Sequence, residues 1–301
     1  MSHSLRFQPI GSSWVALHPD PKGVIFFIGG AFFGTFPTFF YRYFLGSIYQ
    51  AGYTIVALPF RFTFRHWSVA ISLLQEQQQL RPTLVEMAKH AGYATTVYQT
   101  PEQFYWIGHS VGCKYVALLE LLSSSRWAEQ SKSCLESQQI ERTQLQIDTR
   151  IPDTMGIYSQ RSLLIAPDIS DTDSAIPKPL ARIVEALGLG VQPSRSQTLC
   201  LIRQSSLFHL TAIISLAQDT IAGRVADMDE TQSDVRWLLN HLTDRPLLHL
   251  EQSGKHLEPV GIRIGRWIVD LNPFDKFIEP IARRELEANV LMFLEKLGQK
   301  F

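Results

Sequence analysis

The chain has 301 residues, with 28 Lys plus Arg against 28 Asp plus Glu, and 45% of its residues are apolar. Zero net charge argues against bulk electrostatic capture of nucleic acid or an anionic membrane, and the apolar content excludes a disordered chain. The cysteines, Cys113, Cys134 and Cys200, form no C-x-x-C pair and make no disulfide framework, so a reducing, cytoplasmic setting is the default. The opening residues MSHSLRFQPIGSSW lack the apolar stretch of a signal peptide.

In chain order, SSWVALHP predicts an antiparallel edge strand and GVIFFIGG a buried strand ending in glycines. Residues Gly23 to Tyr41 carry no charge, yet Gly29, Gly30, Gly34 and Pro37 make a strand, a turn and a helix start better than a membrane span. TFFYRYFLGSIYQAG has helical spacing and stops at Gly52, and YTIVALPF is a strand closed by Pro59. A helix is expected from about Ser68 to His90, interrupted near Pro82. FYWIGHS is a strand that runs directly into the helix VGCKYVALLELL. RSLLIAPD, LTAIISLAQD and RPLLHLEQSGKH supply further strands, and TQSDVRWLLNHL and IEPIARRELEANVLMFLEKL supply helices. Such alternation predicts one α/β domain over residues 1–301, a doubly wound, mostly parallel sheet with helices on both faces. Two stretches break the rhythm: a polar excursion at 123–159, and residues 168–210, which read as a lid insertion.

Gly108-His109-Ser110-Val111-Gly112 fits G-x-S-x-G, a pattern that chance would supply about 0.1 times in such a chain. Its context adds more than the pattern, because a strand enters it and a helix leaves it. A nucleophile raised above a sheet needs that sharp turn, and the glycines relieve the crowding. On these residues the chain resembles the α/β-hydrolase superfamily and, more narrowly, an uncharacterised hydrolase-like family of cyanobacteria and plastids.

The resemblance implies a triad in the order Ser, acid, His. Asp219 ends the strand LTAIISLAQD, and His256 sits in SGKHLEP after the last strand, where the family's acid and histidine would lie. Asp168, which ends LLIAPD, is the alternative acid. Ser110 needs an imidazole to take its proton, and that imidazole needs a carboxylate to fix its tautomer. The resemblance also implies an oxyanion hole from the Val111 amide and a second amide in Ile28-Gly29-Gly30-Ala31-Phe32, with Ala31 first and Phe32 next. Many members carry His-Gly where this chain has Gly29-Gly30. His109 is expected to pack beside the site, and Cys113 to be a small packing residue.

Eleven of the 18 phenylalanines fall between Phe26 and Phe64. Phe32, Phe33 and Phe36 lie in a glycine-rich loop where they would line a pocket mouth, which suits an apolar acyl substrate. RFTFRHW, with Arg61, Arg65 and His66, reads as a solvated loop or helix edge. No cofactor or metal is implied: there is no nucleotide fingerprint, no H-E-x-x-H, and His241, His249 and His256 lack zinc spacing. The expected function is a serine esterase, lipase or thioesterase acting on a small lipophilic substrate. An acyltransferase would use the same residues, and a non-catalytic binding module on the same fold is the rival from another class. No nucleic-acid partner is expected, a peripheral membrane contact stays open, and oligomeric state is not legible.

Overall fold

The structure, a computed structural model, describes residues 4–150, 156–157, 160–169, 190–205, 211–243, 247–269 and 278–299. Of the expected lid at 168–210, residues 170–189 and 206–210 lie outside the described residues.

The first strands are β1 (Gln8–Ile10), β2 (Ser13–Ala16) and β3 (Gly23–Ile28), followed by a one-turn helix α1 (Pro37–Phe40), α2 (Arg42–Gln50) and β4 (Tyr53–Ala57). Helix α3 (His66–His90) and the short α4 (Thr96–Gln99) lead to β5 (Phe104–His109), α5 (Val111–Ser123), α6 (Trp127–Ser131) and α7 (Ser137–Arg150). Then come β6 (Arg161–Ile165), α8 (Arg195–Gln204), β7 (Thr211–Leu216), α9 (Asp234–His241) and β8 (Leu248–Gln252). Three short strands, β9 (Ile262–Ile264), β10 (Trp267–Val269) and β11 (Ile278–Pro280), precede the last described helix, α10 (Leu286–Gln299).

The main sheet has eight strands in the order β1-β2-β4-β3-β5-β6-β7-β8. β3 to β8 are mutually parallel, and β2 joins β4 antiparallel, as expected for SSWVALHP, but β2 is an inner strand and not the expected edge. Outside it, the three-residue β1, which contains Pro9, pairs with β2. Strand residues alternate between two apolar layers. Val24, Phe26, Ile28, Phe104, Trp106, Leu164 and Ile213 face the layer covered by α3, α5 and α8. Ile25, Phe27, Tyr105, Ile107, Leu163 and Ile214 face the layer covered by α2 and α10. Every residue of β3 to β7 is buried, as parallel strands covered on both faces require. The crossover after β3 leads to β4 on one side, and the one after β5 leads to β6 on the other. The carboxyl ends of β3 and β5 therefore flank a switch point, where α/β sheets place their crevice.

Four other expectations are corrected. Helix α3 runs unbroken through Pro82. A proline inside a helix costs about 3 kcal/mol or more, but Leu80, Leu84 and Ala88 around it are fully in the core and would be exposed by a break. The polar stretch at 123–159 holds α6 and α7; in α7 the polar residue Thr143 and Ile147 are buried, a stripe too thin to stand out among its Gln and Glu residues. The final helix begins at Leu286 because Ile278–Pro280 is a strand of a small antiparallel sheet with β9 and β10. Finally, Cys134 and Cys200 are paired as a disulfide, Cα–Cα 5.7 Å, which removes the support that cysteine usage lent to a reducing compartment. No helix among the described residues is long and apolar enough to cross a membrane.

Candidate active site

Ser110 is the residue between β5 and α5, with φ 56° and ψ −129°, a conformation L residues rarely adopt. Positive φ at a non-glycine stores strain of about 1–3 kcal/mol that the surroundings must offset. Here the Ser110 amide donates to the Ile165 carbonyl at 3.1 Å, and the Ser110 carbonyl accepts from Cys113 at 2.9 Å. Glycine is needed on both sides. A Cβ at Gly112 would stand 2.2 Å from the Ile28 carbonyl oxygen, and one at Gly108 2.8 Å from the Cys113 backbone. These contacts press the start of α5 against the end of β3, beside the glycine loop.

Three of the expected residues meet. His256, on the loop after β8, has Nε2 2.8 Å from Ser110 Oγ and Nδ1 2.8 Å from Asp219 Oδ2. A carboxylate only accepts, so Nδ1–H donates to Asp219 and Nε2 is left to accept from the serine hydroxyl. All three residues are buried. Asp219 is held from behind, its Oδ1 accepting from the Ile221 amide at 2.8 Å and the Ala222 amide at 3.0 Å. The alternative acid, Asp168, is not the histidine's partner. It follows β6, and its amide donates to the Ser110 carbonyl at 3.3 Å.

The glycine loop after β3 lies against the serine. A Cβ at Gly30 would be 3.0 Å from Ser110 Cβ and 3.4 Å from its Oγ. The Gly30 amide is taken, donating to Tyr41 Oη at 2.7 Å. Among the described residues, neither the Ala31 nor the Val111 amide donates to a protein acceptor. The departure at Gly29 has a steric cause: a Cβ there would come within 2.7 Å of the Tyr41 ring. Tyr41 fills the space that a side chain at position 29 would need.

His109 is fully buried, with Nδ1 2.9 Å from Tyr41 Oη and Nε2 2.8 Å from the His256 carbonyl oxygen. Sequence reasoning put it beside the site without finding either bond. Burial, reinforced by the nearby His256, pushes its pKa down to about 3. The unfolded ring takes a proton near pH 6.5 and the folded ring does not, so this group removes stability as pH falls from about 6.5 to about 3. In urea titrations across that window, His109→Gln should show a dependence on pH shallower by up to about 1.4 kcal/mol per pH unit. Equal slopes would mean that His109 is protonated in the folded protein. Cys113 on the next turn has its thiol pKa pushed up by burial, which keeps it unreactive.

Around the loops that carry these groups, Phe32, Phe36 and Phe39 are exposed, and so is Ile221 beside Asp219. Phe32 stacks on Phe62 at 4.5 Å between ring centroids, whereas Phe33 packs edge-on against Phe40 and rests on the core. Of the three loop phenylalanines, Phe32 and Phe36 are thus exposed rings and Phe33 is half-buried. A cleft of about 430 Å³ between α3 and α7, lined by Arg65, Trp67, Gln139 and Arg142, does not include Ser110.

A sequence profile of a protein family of unknown function, DUF1350, matches residues 6–133, from β1 through the elbow to α6. No curated protein matches the chain. Among solved structures, the carboxylesterase Cest-2923 from Lactobacillus plantarum WCFS1 is 14% identical, covers 98% of both chains and superposes with a TM-score of 0.56. The chain has an α/β-hydrolase fold. Esterase B from Lactobacillus rhamnosis, inhibited by a tributyrin phosphonate, is similar over 96% of this chain and 81% of its own at 14% identity and TM-score 0.51. A sugar hydrolase from Lactococcus lactis matches over 97% and 98% at 14% identity and TM-score 0.51. At such identities the likeness is one of fold.

Proposed function

We propose that the protein is a serine hydrolase that cleaves a carboxylic ester or thioester of a lipophilic acyl group. The observation that carries this reading is the chain of 2.8 Å hydrogen bonds from Asp219 through His256 to Ser110, at the crest of a strained turn. Ser110 Oγ attacks the carbonyl carbon while His256 Nε2 takes its proton. Asp219 stabilises the imidazolium that results. The tetrahedral oxyanion is received by the Val111 and Ala31 amides, each such donor being worth about 3 kcal/mol. His256 then protonates the leaving alcohol or thiol, and water, deprotonated by the same nitrogen, releases the acyl group from Ser110. Pre-placed donors and a pre-set tautomer mean that little has to reorganise at the moment of reaction.

The exposed rings of Phe32, Phe36 and Phe39, with Ile221, support an apolar acyl group over a charged one. The narrower likeness to a hydrolase-like family of cyanobacteria and plastids belongs with this reading, since the matched family has no assigned activity.

Labelling with a fluorophosphonate probe tests it. The purified protein is expected to label stoichiometrically, Ser110→Ala and His256→Ala not at all, and a panel of p-nitrophenyl esters and acyl thioesters to show faster turnover with longer acyl chains. A folded protein that does not label, or a Ser110→Ala variant that does, overturns the hydrolase reading. Tributyrin is a sensible first glyceride, given the phosphonate bound by the esterase of similar fold.

A further inference from the structure

Three loops that leave three different strands must agree in position for this site to act: the glycine loop after β3, the elbow after β5 and the histidine loop after β8. One buried hydrogen-bond chain joins all three. The Gly30 amide donates to Tyr41 Oη at 2.7 Å, Tyr41 Oη lies 2.9 Å from His109 Nδ1, and His109 Nε2 lies 2.8 Å from the His256 carbonyl oxygen.

The direction of every bond is fixed by its ends. An amide can only donate, so Tyr41 Oη accepts from Gly30. A carbonyl can only accept, so His109 Nε2 carries a hydrogen and donates to His256. In a neutral ring Nδ1 is then an acceptor, and the Tyr41 hydroxyl donates to it. No group in the chain is left without a partner and none carries a charge. Tyr41 and His109 are both fully buried, where ionising either would be costly; burial pushes the Tyr41 phenol up and the His109 ring down.

The ring of Tyr41 is itself clamped. It packs edge-on against Phe27 at 4.7 Å and His109 at 5.6 Å between centroids, and it occupies the space beside Gly29. A rigid phenol therefore sets where Gly30 sits, and Ala31 is the next residue. At the other end, His109 holds the backbone of the residue whose side chain would serve Ser110.

We propose that Tyr41 and His109 are positioning residues: together they hold the Ala31 amide and the His256 imidazole in register with Ser110. Neither touches substrate. The proposal rests on the hydrolase reading for its kinetic consequence, and on the tautomer of His109 for a consequence independent of it.

The closing experiment has two arms. In the first, fluorophosphonate labelling is resolved into probe affinity and maximal rate. Tyr41→Phe keeps the ring beside Gly29 and removes only the hydroxyl, so the maximal rate should fall about 10-fold with affinity little changed, in line with a buried donor and acceptor left unpaired. His109→Leu should fall at least as far, and His109→Gln, whose amide can both accept and donate, should recover most of the rate. In the second, nitrogen-15 NMR of the histidine rings, assigned by the loss of one ring in His109→Gln, should show His109 neutral with its hydrogen on Nε2 from pH 5 to 8.

A wild-type protein that labels while Tyr41→Phe and His109→Leu label at the same maximal rate overturns the proposal and leaves the hydrolase reading standing. So does a loss that follows only the folded fraction and is not restored by His109→Gln. A wild type that never labels overturns the hydrolase reading, and the NMR arm then decides the relay alone: a protonated ring, or a hydrogen on Nδ1, sinks it. Should Tyr41→Phe fail to fold, the contrast between His109→Leu and His109→Gln carries the kinetic arm.

Discussion

Exchanging Asp219 for Asn should lower ester turnover by about 10⁴-fold while leaving the protein folded. The size of the effect follows from which carboxylate oxygen does what. Oδ1 accepts from two backbone amides, Ile221 and Ala222, and Oδ2 meets His256 Nδ1. An Asn amide group placed at the Oδ1 position would set its own hydrogens against two donors. Its carbonyl must therefore take that place, which turns the NH₂ toward His256. The imidazole can answer only by accepting at Nδ1 and moving its hydrogen to Nε2, so a donor now points at the Ser110 hydroxyl. A nitrogen that already bears a hydrogen cannot take the serine's proton. Turnover of p-nitrophenyl butyrate near pH 8, with a thermal melt as the folding control, measures this. Activity within tenfold of wild type would show that Asp219 does not set the tautomer. Asp168 offers no relief, because its place after β6 is tied to the Ser110 backbone and another group already holds Nδ1.

Reducing the Cys134–Cys200 disulfide is expected to lower stability by up to about 4 kcal/mol. The bond joins residues 66 apart, and a cross-link that closes so long a loop removes much of the freedom of the unfolded chain. It connects the segment between α6 and α7 to the middle of α8, whose Leu199, Leu201 and Ile202 pack into the same layer as α5. Urea unfolding with and without dithiothreitol should show a lower midpoint on reduction, and Cys200→Ser should reproduce it. Cys113 lies buried outside that bond, so Cys113→Ala should keep the full shift of midpoint on reduction. Identical midpoints would mean that the pair is not formed in solution.

Sequence periodicity carried the sheet because β3 to β7 are buried on both faces, so each appears as a mostly apolar run between turns. The elbow was legible for a related reason: Gly108, Ser110 and Gly112 are local, and the strand and helix around them are contiguous. Asp219 and His256 were reached through chain order and resemblance, which leaned on the strands that precede them. What could not be read were pairings between distant residues with no local mark. Tyr41 looks like one more aromatic in a run of aromatics, yet it lies 68 positions from its partner His109, and His109 lies 147 from the carbonyl it holds. Cys134 and Cys200 carry no spacing signature either. Pro82 misled in the other direction, since a local rule for ending helices was outweighed by burial on both sides of it.

The sheet's two margins differ in how they meet solvent. On one side it ends in β1, three residues long, with Pro9 offering no N–H to an incoming strand. On the other, among the described residues, it ends in β8, whose first four positions alternate half-buried and exposed, with the charge of Glu251 at an exposed one. A sheet built from buried, mostly apolar strands would be a template for edge-to-edge association if either margin were long, flat and unmarked. This one deters such growth with a short, proline-bearing strand at one border and a charged strand at the other, and so leaves its buried strands as a core and not as a seed for aggregation.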